Sequence, residues 1–280
     1  MAGLENLFLY GSVASAALAI ILAVLDFKGA QRVTSNENTV KVSPRRITGI
    51  LATILTMLVF FFITVVIVAR WIETGHGPFS NMYEFAVAFA WGTVVMGFFF
   101  QRRYKSGAFR NIGLFIALLL LIFAAVKHAQ PEPLVPALQQ SVLLSVHVAS
   151  AVVAYGTLTI GFGAAVLFLF QQNRKSMLFP DKDILEAVSY QSVIIGFPFL
   201  TTLIILGAVW ADIAWGRYWS WDPKETASLV TWLVYAAYLH ARLMRGWRGT
   251  KAACLLIIGF AAILLTFFGN YIFTGLHAYG

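Results

Sequence analysis

Eight stretches of this 280-residue chain are apolar and long enough to cross a membrane as helices. They fall at approximately 6–25, 48–69, 83–100, 111–127, 141–171, 188–210, 223–245 and 252–273. A hydrocarbon core about 30 Å thick takes about 20 helical residues to span. Backbone N–H and C=O groups find no water there, so a run of this length in lipid satisfies them by folding as a helix. The expectation is an all-α, polytopic membrane protein of about eight transmembrane helices, with residues 1–280 forming a single membrane domain. The fifth run is longer than one crossing needs, which predicts that it projects beyond the bilayer or breaks near Gly156. Gly196 and Pro198 mark a candidate kink in the sixth.

Basic residues alternate between the connections. The first carries Lys28, Arg32, Lys41, Arg45 and Arg46, and the third Arg102, Arg103, Lys105 and Arg110. The fifth carries Arg174, Lys175 and Lys182, and the seventh Arg242, Arg245, Arg248 and Lys251. The even-numbered connections hold only Arg70, Lys127, Arg217 and Lys224, giving sixteen cations on one side against four on the other. Positive charge collects on the cytoplasmic side, so both termini are expected outside. The net charge of +8 is then largely a topology signal, which argues against a nucleic-acid partner. The opening Met-Ala-Gly-Leu-Glu has neither the positive charge nor the small-residue cleavage site of a secretory leader. The first run therefore reads as a retained span. With 60% hydrophobic and 11% charged residues, a lipid bilayer is the solvent this composition suits.

The residues that carry chemistry gather outside. Of five histidines, His76, His128, His147 and His277 fall on or near the outer face. His240 lies deep in the seventh run, 17 residues beyond Pro223, or roughly 26 Å of helix. An ionisable group at that depth is a functional candidate; a neutral imidazole bonded to a neighbouring helix is the plainer reading. The single cysteine, Cys254, sits in an apolar run and offers no internal disulfide or CxxC chemistry. Four of the eight tryptophans, Trp210, Trp215, Trp219 and Trp221, crowd into residues 210–222. An interfacial aromatic belt would spread them over many helix ends. Flat indole faces beside Arg217 and Lys224 suit a flat apolar ligand bearing carboxylates, as haem does with its propionates. Asp222-Pro223-Lys224-Glu225 also reads as a helix start, with an N-cap Asp, Pro at the first position and Glu at the third. Asn81 is a similar candidate cap for the third helix.

Trp215-Gly-Arg-Tyr-Trp-Ser-Trp-Asp-Pro-Lys-Glu225 resembles the WWD signature of haem-handling proteins in cytochrome c maturation. Trp232-Leu-Val-Tyr235, Tyr238-Leu-His-Ala-Arg242, Arg245-Gly-Trp-Arg-Gly249, Pro133-Leu-Val-Pro-Ala-Leu-Gln139 and the closing Gly275-Leu-His277 are similar to the CcsA (ResC) family. The match runs from about residue 70 to the C-terminus. The resemblance implies that residues 210–225 form an external WWD haem-binding loop. It implies that His147 and His277 are outer axial ligands of haem iron and His240 the ligand of an inner site. Trp215, Trp219, Trp221 and Asp222 then cradle haem, with Arg217 beside them; His76 and His128 match no family ligand and read as ordinary loop histidines.

One inner ligand from this chain leaves a bis-histidine site incomplete, and the family implies that a CcsB (ResB)-type membrane subunit completes it. The implied function is the haem-handling part of a system II holocytochrome c synthase, a haem lyase complex. Haem b moves from the inner side to the outer face and is presented for thioether attachment to the CxxCH of apocytochrome c. A thioredoxin-like protein keeps those thiols reduced. The implied membrane is the bacterial cytoplasmic membrane, with the thylakoid as the other setting. Two other readings stay open: a haem exporter or delivery protein without ligase activity, of the CcmC type, and a non-catalytic assembly subunit whose aromatic loop docks a partner.

Overall fold

The computed structural model describes residues 2–34, 47–77, 81–127, 141–172 and 179–272. Each apolar run is a helix: α1 (Ala2–Thr34), α2 (Ile47–Thr74), α3 (Met82–Tyr104), α4 (Gly107–Val126), α5 (Ser141–Phe170), α6 (Lys182–Trp215), α7 (Pro223–Met244) and α8 (Thr250–Ile272). The described residues contain no strand. Seven of the helices are long and apolar enough to cross a membrane. α7 falls short in hydropathy for a specific reason: the face it turns to its neighbours carries Glu225, Thr231, Tyr235 and Tyr238, all buried. Val230, Leu233 and Leu243 lie on its outward side, and each is at least 48% exposed. At 22 residues it has the length to span about 30 Å.

Helices adjacent in sequence pair, and two cores result. One joins α1–α4 through residues such as Leu9, Val59, Ile63, Val94 and Leu121. The other joins α5–α8 through Leu158, Leu185, Leu200, Tyr235, Leu256 and Ile263, with Phe100 and Phe109 reaching into it. Tyr155 of α5 packs against both. Large apolar side chains including Phe61, Phe115, Ile205 and Leu265 line the perimeter, each more than half exposed, as a bundle solvated by lipid requires. Among polar contacts between helices, Trp91 Nε1 donates to Thr64 Oγ1 (3.0 Å) and Trp232 Nε1 to Thr201 Oγ1 (2.9 Å).

Of the two ways the long fifth run could be accommodated, the break near Gly156 does not occur: α5 runs unbroken through it. A Cβ there would sit 2.8 Å from the backbone of Gly92, so this glycine lets α3 and α5 approach closely. α6 likewise continues through Pro198 as one 34-residue helix. Near that point the hydroxyls of Thr201 and Thr202 donate to the carbonyls of Phe197 and Pro198 at 2.9 and 3.0 Å. Arg70, assigned by sequence to a connection, lies on α2, which extends to Thr74, and is buried.

Candidate functional site

The tryptophan-rich segment of 210–225 divides into three parts. Trp210 and Trp215 belong to the last turns of α6, which ends where Gly216 takes a left-handed conformation (φ 72°) and donates its N–H to Asp212 O at 2.8 Å. The non-helical part is Gly216–Asp222, and α7 begins at Pro223. Trp221 also adopts positive φ (59°), which is costly for a bulky side chain.

Glu225 holds this backbone in place. Its carboxylate accepts from Ser220 N (2.8 Å), Ser220 Oγ (3.2 Å) and Asp222 N (3.2 Å). Asp222 returns the bond by accepting from Lys224 N at 3.0 Å, completing a capping box as the sequence predicts. Asp222 is thus a buried structural cap.

The four tryptophans form two pairs with different surroundings. Trp210 and Trp215 meet edge to face, their centroids 4.8 Å apart, and pack with Leu144, Val148 and Phe85. Trp219 and Trp221 form a second perpendicular pair at 5.9 Å, and Trp221 is 69% exposed. The latter pair is the part of the cluster available to a ligand. Arg217 is exposed on the same segment. Lys224 points elsewhere, with Nζ 5.6 Å above the Phe85 ring of α3.

His147 lies in the second turn of α5, half-buried against α6. Its Nδ1 is 2.9 Å from the carbonyl oxygen of Leu203. A carbonyl only accepts, so Nδ1 carries the proton and a neutral ring has its coordinating lone pair on Nε2. Metal-binding imidazoles are commonly oriented in this way. Gly207 makes room for the ring: a Cβ there would lie 2.9 Å from His147 Cε1.

At the same end of the bundle a cleft of about 410 Å³ opens between α7 and α8. Pro223, Thr226, Ala227, Val230, Ala262, Leu265 and Gly269 line it, an almost wholly apolar wall suited to the edge of a porphyrin. His240 is one turn from the far end of α7 and exposed, on the face that also bears Val230 and Leu233. The structure does not bring it to the tryptophan segment. His277, His128 and Pro133–Gln139 lie outside the described residues. His76, expected as an ordinary loop residue, is buried, with Nδ1 2.8 Å from Gly77 O.

A family profile described as "Cytochrome C assembly protein" matches residues 79–277. The chain belongs to the cytochrome c assembly protein family. Within it, the chain sits in the CcsA branch. It is 38% identical to cytochrome c biogenesis protein CcsA of Guillardia theta over 253 residues, covering 80% of this chain and 84% of that protein. It is 41% identical to CcsA of Chlamydomonas reinhardtii over 230 residues (78% and 65%), and 37% identical to CcsA of Prochlorococcus marinus strain MIT 9301 over 261 residues (81% and 84%). Cytochrome c haem lyase CcmF has a similar solved structure, with a TM-score of 0.69 at 19% identity, covering 95% of this chain and 46% of its own. That likeness is one of fold. The family span contains His147, the tryptophan segment, His240 and His277.

Sequence reasoning missed a buried cluster at the start of this CcsA-family span. Arg70 donates from Nε to Glu84 Oε1 at 2.9 Å and from Nη1 to Glu5 Oε1 at 3.4 Å. Tyr83 OH donates to Glu5 Oε1 at 2.6 Å. All four side chains are at most 2% exposed. The available signal was Glu5 and Glu84 at the starts of two apolar runs, where a carboxylate without a partner is costly to bury.

Proposed function

We propose that this chain is the haem-handling subunit of a cytochrome c synthase. It receives haem near His240, transfers it to the outer face, and holds it between His147 and His277 against the Trp219–Trp221 pair. There haem is the substrate. Each cysteine thiol of an apocytochrome CxxCH adds across a vinyl group, sulfur bonding to one carbon and the proton going to the other. The addition is redox-neutral and needs no separate acid or base residue in the chain. Proximity and orientation carry the rate. Haem b is the species handled, and both termini lie on the outer side of a bacterial cytoplasmic membrane.

The observation that carries this reading is the setting of His147. Its ring is held by the Leu203 carbonyl and accommodated by Gly207, so the imidazole is oriented by the chain alone. The apolar α7–α8 cleft supports the same reading, because its walls end at Pro223 beside the loop and at Gly269, eight residues before His277. Half-buried Trp219, exposed Trp221 and exposed Arg217 supply aromatic and cationic groups next to that cleft, the last for a propionate. Trp215 and Asp222 serve the site by holding the loop's two ends. His240, exposed on a membrane helix, fits a ligand completed by a second subunit of the CcsB type.

The test is the absorption spectrum of the purified chain, with and without that subunit, for the wild type and for His147→Ala, His277→Ala and His240→Ala. The expected result is six-coordinate haem, one population of which is lost in both outer variants. A second, partner-dependent population disappears with His240. Wild-type complex without haem, or haem indifferent to all three substitutions, overturns the proposal and favours the partner-docking role.

A further inference from the structure

The first turn of α3 joins two features that are remote in sequence: the buried charge cluster and the tryptophan segment. Asn81 caps the helix by accepting from Glu84 N at 3.0 Å. Successive residues on a helix point about 100° apart, and here three in a row meet different elements. Tyr83 OH donates to Glu5 of α1, and its ring lies 5.1 Å beneath the Arg70 guanidinium. Glu84 accepts from Arg70 of α2. Phe85 packs with Leu144, Val148, Trp210 and Trp215, and takes the Lys224 ammonium over its face at 5.6 Å. Lys224 in turn is the residue whose N–H is held by the Asp222 cap.

Buried ions inside an apolar bundle are poor general stabilisers, because desolvation offsets most of their attraction. Their better-attested value lies in fixing one geometry among several. Here two carboxylates share one guanidinium, with Arg70, Glu5 and Glu84 each 1% exposed. The bonds fix the rotation of the α3 start relative to α1 and α2. That rotation determines where Phe85 meets the Trp210–Trp215 pair and Lys224.

We propose that Arg70 and Glu84 are positioning residues for the outer haem site, acting through Phe85 on the tryptophan segment. This rests on the function proposed above. The clasp sets the register of α3, Phe85 supports the Trp210–Trp215 pair, and Trp219, Trp221 and Arg217 follow from that support.

A double-mutant cycle on the complex with its partner subunit tests it, using Glu84→Ala, Phe85→Ala and the pair. The readout is the His147-dependent haem signal per folded chain, alongside the His240-dependent signal. Each single variant is expected to lower the outer signal about five-fold, with the double variant no lower than either single. The inner signal stays unchanged. Multiplicative losses in the double variant overturn the proposal, because they show that Glu84 does not act through Phe85. Parallel loss of both signals assigns Glu84 a general folding role and also overturns it, as does an outer signal untouched by Glu84→Ala. If Glu84→Ala cannot be recovered folded, Glu84→Gln takes its place in the same cycle. Gln keeps an acceptor for Arg70 Nε, so a smaller loss is expected, still masked by Phe85→Ala. Absence of haem from the wild-type complex is a separate result that removes the functional reading itself.

Discussion

His147 and His240 have opposite surroundings. His147 is half-buried between two helices of its own chain, its Nδ1 on the Leu203 carbonyl and its ring against Gly207. His240 is exposed, and among the described residues it has no hydrogen-bond partner. The first is preorganised by intramolecular packing. The second has the exposure of a residue whose setting comes from a neighbouring molecule, since an imidazole facing lipid is costly. Two histidines that look equivalent as candidate ligands thus differ in kind: one is oriented within the chain and the other is not.

The largest expected effect comes from filling the space that His147 needs. Gly207→Val should displace the ring and cut the His147-dependent haem signal at least about ten-fold, as disturbing an outer-shell partner commonly does. The His240-dependent signal should not change; a loss in both would dissolve the contrast. Next in size, Asp222→Ala removes half of the capping box at the loop. Thermal unfolding in detergent should show a loss of about 1 kcal/mol, with the tryptophan segment affected and the His240 end not. A sharper comparison measures the stability of the isolated chain. His147→Ala should cost about 1 kcal/mol through its lost hydrogen bond, whereas His240→Ala should stay within about 0.5 kcal/mol. Equal costs would mean that His240 is also held intramolecularly. The smallest effect is expected at Tyr235, whose buried hydroxyl finds no partner among the described residues. Tyr235→Phe removes an unsatisfied group and should leave stability unchanged or slightly raised in the same melts.

The helices were legible in the sequence because lipid imposes a minimum length on each apolar run, and all eight emerged close to their expected bounds. The cap at Asp222 was legible because its partners are three residues away or fewer. What escaped was non-local. Gly156 reads as a breaker in one dimension, yet its role depends on Gly92, which belongs to another helix. The tryptophan cluster reads as four equivalent faces. Only the packing of Trp210 and Trp215 onto Leu144 and Val148 separates these supporting rings from Trp219 and Trp221. Arg70 counts as a loop cation in any tally of charge, whereas its pairing with Glu5 spans 65 positions. Partners at that separation leave no periodic trace.

The reversed polarity of α7 bears on how the protein is made. A helix that presents Glu225, Thr231, Tyr235 and Tyr238 to its neighbours is poorly suited to leave the insertion machinery alone. Thr231 shares a hydroxyl–hydroxyl hydrogen bond with Thr266 of α8 at 3.0 Å, and Arg242 pairs with Glu186 of α6. Both neighbours must therefore be at hand when α7 enters lipid, one synthesised before it and one after. A nascent chain that stops after Met244 leaves α7 without half of its cover. The tryptophan segment immediately ahead of α7 then reaches its final side of the membrane only late in translation. The tryptophan segment is among the last parts of the molecule to be completed.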